Sequence, residues 1–303
     1  MSDWPELSLE RDHETWTVLH LAAQMLGKIR VAHAPWMNHG WHVALQPNAR
    51  GFSTLPTAAG DGRTFTLTLD LCRHAMVLWA SDETREEVPL NAGSVAALHK
   101  RLIAMLDRNG LPSDFGGTPN EIEGAVPFAE DHAARDYDRE SASRLREAFA
   151  AMLPMFAKFR AGFEGKASPV QLWWGSFDLA VSRYSGKKAP PHPGGLPGLP
   201  DRITREAYSH EVASAGFWAS GAAEAEPFFY SYIYPEPDGY RAAKPSAGRF
   251  DESYGEFVLR YAEVQAASDP EAMLLGFFQS TYDAAADLAG WARADLEREP
   301  VAP

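Results

Sequence analysis

One cysteine, Cys72, stands in a chain of 303 residues. That excludes an intrachain disulfide and every zinc or iron–sulfur centre held by several thiolates. Basic charge is short as well: 28 Lys and Arg against 41 Asp and Glu leave a formal net charge of −13. A surface of that sign repels a phosphate backbone unless Lys and Arg gather locally, and no such stripe occurs, so no nucleic acid partner is expected. Long apolar runs are missing too; charged residues, Gly or Pro interrupt each one before the ~18 residues that a spanning helix needs. No membrane partner is expected either. Met1-Ser2-Asp3-Trp4-Pro5 lacks the basic and apolar segments of a secretory signal, so the expectation is a cytoplasmic protein in a reducing compartment.

Familiar catalytic signatures are absent in turn. Gly27-Lys28 and Gly165-Lys166 lack the upstream Gly and downstream Ser or Thr of a phosphate-cradling loop, and no GxGxxG, GxSxG or HExxH occurs. Nucleotide hydrolysis, dinucleotide binding and common serine hydrolase chemistry lose support. What is present is an ordinary globular composition, 45% hydrophobic and 23% charged, enough to bury a core. At ~150 residues per domain the length suits two domains or one large one.

Four segments carry helical periodicity. Asp12 is the expected N-cap of the first, in which Trp16, Leu19, Ala23 and Leu26 join Val18, Ala22, Met25 and Ile29 in one broad stripe, with Gly27 near its end. Ser94 caps the second, where Leu98, Leu102, Met105 and Leu106 keep helical spacing up to an Asn109-Gly110 stop. The third spans 137–163 with a kink at Pro154, and the fourth starts at Ser268-Asp269-Pro270 and runs towards Trp291. Between the first two, residues 64–71 alternate strictly and predict a half-buried antiparallel strand, with shorter strands at 41–45, 51–55 and 76–79. Between the last two, strands are expected at 170–174, 177–183, 206–218, 228–234 and 256–261. Residues 186–200 hold nine Gly or Pro and form a stiff loop, either a spacer or the wall of a site, while 112–128 reads as a connection.

Helix, strands, helix therefore occurs twice. The prediction is an α+β fold with antiparallel or mixed sheets flanked by helices, an N-terminal half of residues 1–125 and a C-terminal half of residues 126–303, packed as one unit. Residues 41–45 can be laid on 177–181 as a faint internal repeat that would make His42 and Asp178 equivalent.

Three constellations carry polar chemistry. His33 to His42 holds three imidazoles, and imidazole is a common metal ligand, so His39 and His42 are candidate ligands. In an extended strand they point to opposite faces and converge only if Gly40 bends the chain; two histidines hydrogen-bonded to backbone are the competing reading. In the second, alternation puts Ser176, Asp178, Ala180 and Ser182 on a small polar face, with room for a ligand that Asp178 would orient or deprotonate. Arg183 shares the opposite, apolar face, where burial demands a carboxylate such as Glu211; a solvated strand with a structural ion pair is the alternative. In the third, Tyr208 and His210 share a strand face, as an acid/base pair or as a hydrogen-bonded core. Catalytic candidates are thus His42, Asp178, Tyr208 and His210. Arg183, His192 from the Gly/Pro loop, and Tyr230 and Tyr232 from an aromatic-rich stretch are candidate substrate contacts, Tyr234 sharing the hydroxyl-bearing face of the two tyrosines.

Several of these runs recur together: Leu19-His20-Leu21 with Gly27-Lys28, Asn38-His39 before Trp41-His42-Val43, Gly175-Ser176-Phe177-Asp178-Leu179-Ala180-Val181, His192-Pro193-Gly194-Gly195, Tyr208-Ser209-His210-Glu211-Val212, Tyr230-Ser231-Tyr232 with Tyr234-Pro235-Glu236-Pro237, and Gln279-Ser280-Thr281-Tyr282. By them the chain, over nearly its whole length, resembles a family of bacterial proteins catalogued only as a domain of unknown function. The resemblance implies membership and supplies no activity, cofactor or catalytic residue. Gly40 departs from the family's run, which carries Trp there. Two functional readings follow: binding or transformation of a small-molecule ligand in a pocket between the halves, or a non-catalytic protein-interaction module whose polar clusters are structural and whose exposed aromatics meet a partner. No particular cofactor or oligomeric state is indicated.

Overall fold

A computed structural model describes residues 4–195, 199–223 and 225–298. Helix α1 spans Leu9–His33 and is capped by Ser8, whose hydroxyl accepts from the Arg11 N–H at 3.4 Å while Asp12 accepts from the Ser8 N–H at 3.1 Å. The cap therefore sits four residues before the expected Asp12, whose carboxylate is buried between the Arg11 and Arg144 guanidiniums. Gly27 does not end the helix. It serves sideways, because a Cβ there would run into the Trp174 indole.

The first sheet is antiparallel. It contains β1 (Gln46–Asn48), β2 (Gly51–Ser53), β3 (Thr57–Ala58), β4 (Thr64–Asp70), β5 (Ala75–Ala80) and β6 (Arg85–Pro89), in the order β1-β2-β4-β5-β6 with β3 also on β4. The alternation that predicted β4 buries Phe65, Leu67 and Leu69. Helix α2 (Val95–Arg108) follows, capped by Ser94 as expected.

Past an irregular connection, α3 (Arg139–Ala161) carries Pro154 without ending. The second antiparallel sheet contains β7 (Gln171–Trp173), β8 (Asp178–Lys188), β9 (His210–Trp218), β10 (Phe228–Tyr234), β11 (Arg249–Asp251) and β12 (Glu256–Arg260), in the order β11-β12-β10-β9-β8-β7. Helix α4 (Asp201–Ala207) precedes β9, and α5 (Tyr261–Gln265), α6 (Pro270–Leu288) and α7 (Arg293–Leu296) close the chain. The protein is thus α+β, with two antiparallel sheets. Among the described residues no helix is long and apolar enough to cross a membrane.

Four expectations need correction. Residues 41–45 are not a strand: His39 and Gly40 take φ of +59° and +72°, and the chain curls there, meeting β7 through the Leu45 to Leu172 bridge. His42 and Asp178 therefore do not occupy equivalent strand positions. Residues 206–209 belong to the end of α4 and the turn after it, so Tyr208 and His210 do not share a strand face. Finally, β8 runs on to Lys188 because Gly186, with φ +88°, absorbs a bulge between Tyr184 and Lys188; residues 189–195 and 199–200 are irregular, and the loop expectation for 196–198 falls outside the described residues.

One face of the second sheet is closed by α3 and α6. Phe217 meets Phe149, and Phe229 meets Phe278, at ring centroid distances of 5.8 and 6.1 Å. The opposite face carries small and polar side chains beside the Trp218, Phe228, Tyr230 and Tyr232 rings, and α1 and α4 stand off from it across a space.

Candidate functional site

Above that second face lies a cavity of about 950 Å³. Its floor follows from register. Asp178, Ala180 and Ser182 on β8 stand beside Trp218, Gly216 and Ser214 on β9, and Gly216 and Ser214 in turn beside Tyr230 and Tyr232 on β10. A Cβ at Gly216 would strike the Tyr230 ring, so glycine there lets the ring lie across β9 and its hydroxyl donate to Asp178 on the strand beyond. Ser176 donates to the other carboxylate oxygen. Asp178 is 6% exposed, and both its oxygens are held by hydroxyls.

The wall opposite comes from α1 and from the connection after α2. His20, Gln24 and Lys28 stand four residues apart and share one helix face. His20 Nε2–H donates to the Gly175 carbonyl at 2.9 Å, and its Nδ1 accepts from the Ala222 N–H at 3.1 Å. Gln24 clasps the Asn120 backbone, accepting its N–H at 2.9 Å and donating to its carbonyl at 2.7 Å. Lys28 Nζ donates to Asn120 Oδ1 at 2.5 Å. The clasp sets the next residue, Glu121, against Gly175, where a Cβ would run into its carboxyl. Glu121 has φ +59°; of the six non-glycine residues with positive φ among the described residues, His39, Glu121 and Ser220 line the cavity and Phe177 adjoins Ser176 and Asp178 in its floor. Sparsely populated backbone of this kind gathers at functional sites.

Three carboxyl groups face the space without a cation. Burial pushes Glu121 up to about 7 and Glu256 to about 8, with the charge of Asp178 adding to both. Burial also raises Asp178, against the pull of the Ser176 and Tyr230 hydroxyls. Among the described residues no Lys or Arg acts on any of the three. Lys28 stands apart, lowered to about 8 by burial alone. Tyr208 and Tyr232 share a hydrogen bond of 2.8 Å, and burial drives both phenols upward, Tyr208 to about 12. A carboxyl that titrates near 7 is present in both forms at neutral pH, so Glu121 can give or take a proton from a bound molecule.

Of the residues singled out from sequence, the cavity brings together His39, His42, Asp178, Tyr208, Tyr230 and Tyr232. The two histidines do not form a metal pair. His39 Nδ1–H donates to the Ala207 carbonyl at 3.0 Å and its Nε2 accepts from Lys166 Nζ at 2.6 Å, while His42 Nδ1 accepts from the Met37 N–H at 3.2 Å. Among the described residues no three His, Cys, Asp or Glu are grouped to hold a metal ion. Arg183 is not a substrate contact: it is 1% exposed on the helix side of the sheet, 3.6 Å from the Phe159 ring and 4.3 Å from that of Tyr282, and donates to the Phe159 carbonyl. Aromatic faces take the place of the expected carboxylate, and Glu211 accepts instead from Ser185 at 2.7 Å. His192 and His210 do not line the cavity; His192 stacks behind Tyr208 at 4.7 Å, and His210 bonds Ser209 at 3.0 Å. Tyr234 turns away to donate to the Pro190 carbonyl at 3.0 Å.

Sequence reasoning missed Glu121, Glu256 and the His20, Gln24, Lys28 row. The row had a signal, three polar residues at helical spacing in residues 18–29, a stretch otherwise without polar side chains; Glu121, in an irregular segment, had none.

A family model described as a family of unknown function, DUF5996, matches residues 4–298, and the chain belongs to that family. No curated protein and no solved structure matches the chain.

Proposed function

We propose, for a chain whose family has no known function, that the protein binds a small organic molecule in the cavity over the second sheet, with Asp178 as the central polar anchor. The observation that carries this reading is the contrast between the two faces of one sheet. One face is packed against phenylalanines from two helices, while the other presents a buried carboxylate, small residues, tyrosine hydroxyls and the Trp218 and Phe228 rings to a space of about 950 Å³. Concave sites with apolar walls and a few converging polar groups are where small ligands bind, and this volume lies within the usual range of about 300–1,000 Å³. Proton exchange with Glu121 would equip the same site to transform its ligand as well as hold it.

The alternative, a protein-interaction module, finds its support in Val31, Trp36 and Met37, which are 45, 44 and 43% exposed. Val31 and Trp36 also belong to the cavity wall, so the same residues serve an entrance for a small molecule. Thermal-shift screening of a chemically diverse library against the protein and its Ser214→Trp variant tests the proposal. Compounds that stabilise the parent and not the variant are expected, because the added indole occupies the floor. Equal stabilisation of both proteins, or none of either, would count against it.

A further inference from the structure

We propose that the molecule bound in this cavity carries a cationic nitrogen, an amine or ammonium group seated among the carboxylates of Asp178, Glu121 and Glu256 and the aromatic rings beside them. The inference rests on the reading of the cavity as a small-molecule site and names the class of ligand. Its first support is charge. None of the three acids has a cationic partner among the described residues; of the two cations in the lining, Arg202 is exposed and Lys28 is committed to Asn120 at 2.5 Å and to the Trp174 ring at 5.9 Å. An anionic ligand would meet three acids. A neutral one would supply no counter-charge and leave Glu121 and Glu256 to relieve their desolvation by holding protons.

The second support is the aromatic surround. Phe228 packs against Trp218 at 5.0 Å and Tyr254 at 4.9 Å, and Tyr230 lies nearly parallel to Tyr232, with centroids 5.9 Å apart and an interplanar angle of 19°. All five rings line the cavity that Asp178 and Glu256 face. Carboxylates provide full charge and aromatic rings a negative quadrupole, and the two together favour an organic cation over a hydrated metal ion.

A cationic ligand would displace protons from these acids. With Glu121 at about 7 and Glu256 at about 8, both are partly protonated near neutrality, and a cation beside them favours the ionised form. Binding should therefore release protons, and affinity should rise with pH across that range until the amine itself titrates, near ~10 for an alkylamine.

Phenethylamine, phenethyl alcohol and phenylacetate, matched in ring and chain, test the inference by saturation-transfer NMR on the full chain. The amine is expected to bind at least ~10-fold more tightly than the alcohol, and phenylacetate not to bind. Asp178→Asn and Glu256→Gln should each weaken the amine ~10-fold without affecting the alcohol; should Asp178→Asn fail to fold, Glu256→Gln carries the test. Calorimetry in buffers of different ionisation enthalpy should report proton release at neutral pH. An alcohol that binds as tightly as the amine, or an amine indifferent to the carboxyl variants, would overturn the cationic ligand and leave the cavity reading standing, provided Ser214→Trp abolishes the signal. Absence of binding by all three probes would overturn both.

Discussion

Replacing Glu121 with Gln should make the protein more stable in alkaline solution and leave it nearly unchanged in acid. Burial, reinforced by the charge of Asp178, lifts this carboxyl from 4.5 to about 7. The folded protein thus holds the proton more tightly than the unfolded chain does. That contribution to stability is fully present below the unfolded value of 4.5 and is lost as pH rises through about 7. At 1.36 kcal/mol for each tenfold change in proton affinity, the ionised form costs the fold about 3 kcal/mol. Glutamine keeps the shape and never ionises. Urea unfolding near pH 9 should therefore give Glu121→Gln an advantage of about 3 kcal/mol, against less than about 1 kcal/mol near pH 5, with an unchanged m-value. An equal effect at both pH values, or a loss at the higher one, would refute the claim that this carboxyl is buried without a counter-ion.

Gly216→Ala puts a Cβ into the Tyr230 ring, so denaturation should show a loss of about 1–3 kcal/mol from overpacking; a variant as stable as the parent would mean that Tyr230 does not lie across β9. Arg183→Met should leave binding of any cavity ligand untouched and keep stability within about 2 kcal/mol of the parent, since it removes a buried charge held by rings and a carbonyl, on which Glu297 and Asp283 act through their charge rather than as ion-pair partners. Titration of a ligand-free sample by NMR should find the His39 pKa below the usual histidine value, because burial and the nearby Lys166 both disfavour its cation, and Lys166→Met should move it upward. No movement would separate His39 from Lys166.

Periodicity carried the reading of regular elements. Residues 228–234 form β10 with the predicted bounds, and the Ser94 cap and the Ser268-Asp269-Pro270 start both hold, because each depends on local spacing and a local cap. The polar face of Ser176, Asp178 and Ser182 was legible for the same reason: alternation in one strand decides which residues share a side. What connects strands was not. Tyr230 reaches Asp178 only because β9 puts a glycine between them, and nothing in either strand alone reports that register. Residues 41–45 misled because Trp41-His42-Val43-Ala44-Leu45 has strand propensity, whereas the fold bends the chain just before it at His39 and Gly40. Arg183 misled in a different way. Pairing rules demand a carboxylate for a buried guanidinium, and three aromatic rings with a carbonyl met the demand instead.

The cavity survives for physical reasons that bear on what it is for. A space over a sheet closes readily if its floor residues are large, and here Ala180, Ser182, Ser214 and Gly216 are small while the tyrosines that surround them are tied down by their hydroxyls. The roof is held off by the His20 and Gln24 side chains, which spend their hydrogen bonds on Gly175 and Asn120. Filling the floor with valine or leucine and replacing Glu121 with glutamine would be simple routes to a tighter and more stable protein. Against a typical folding stability of about 5–15 kcal/mol, the cost of about 3 kcal/mol at Glu121 alone is a large share. A fold that keeps a desolvated acid without a cationic partner in a cavity wall gives up stability, and the usual exchange is for binding. At this site the missing partner is positive charge.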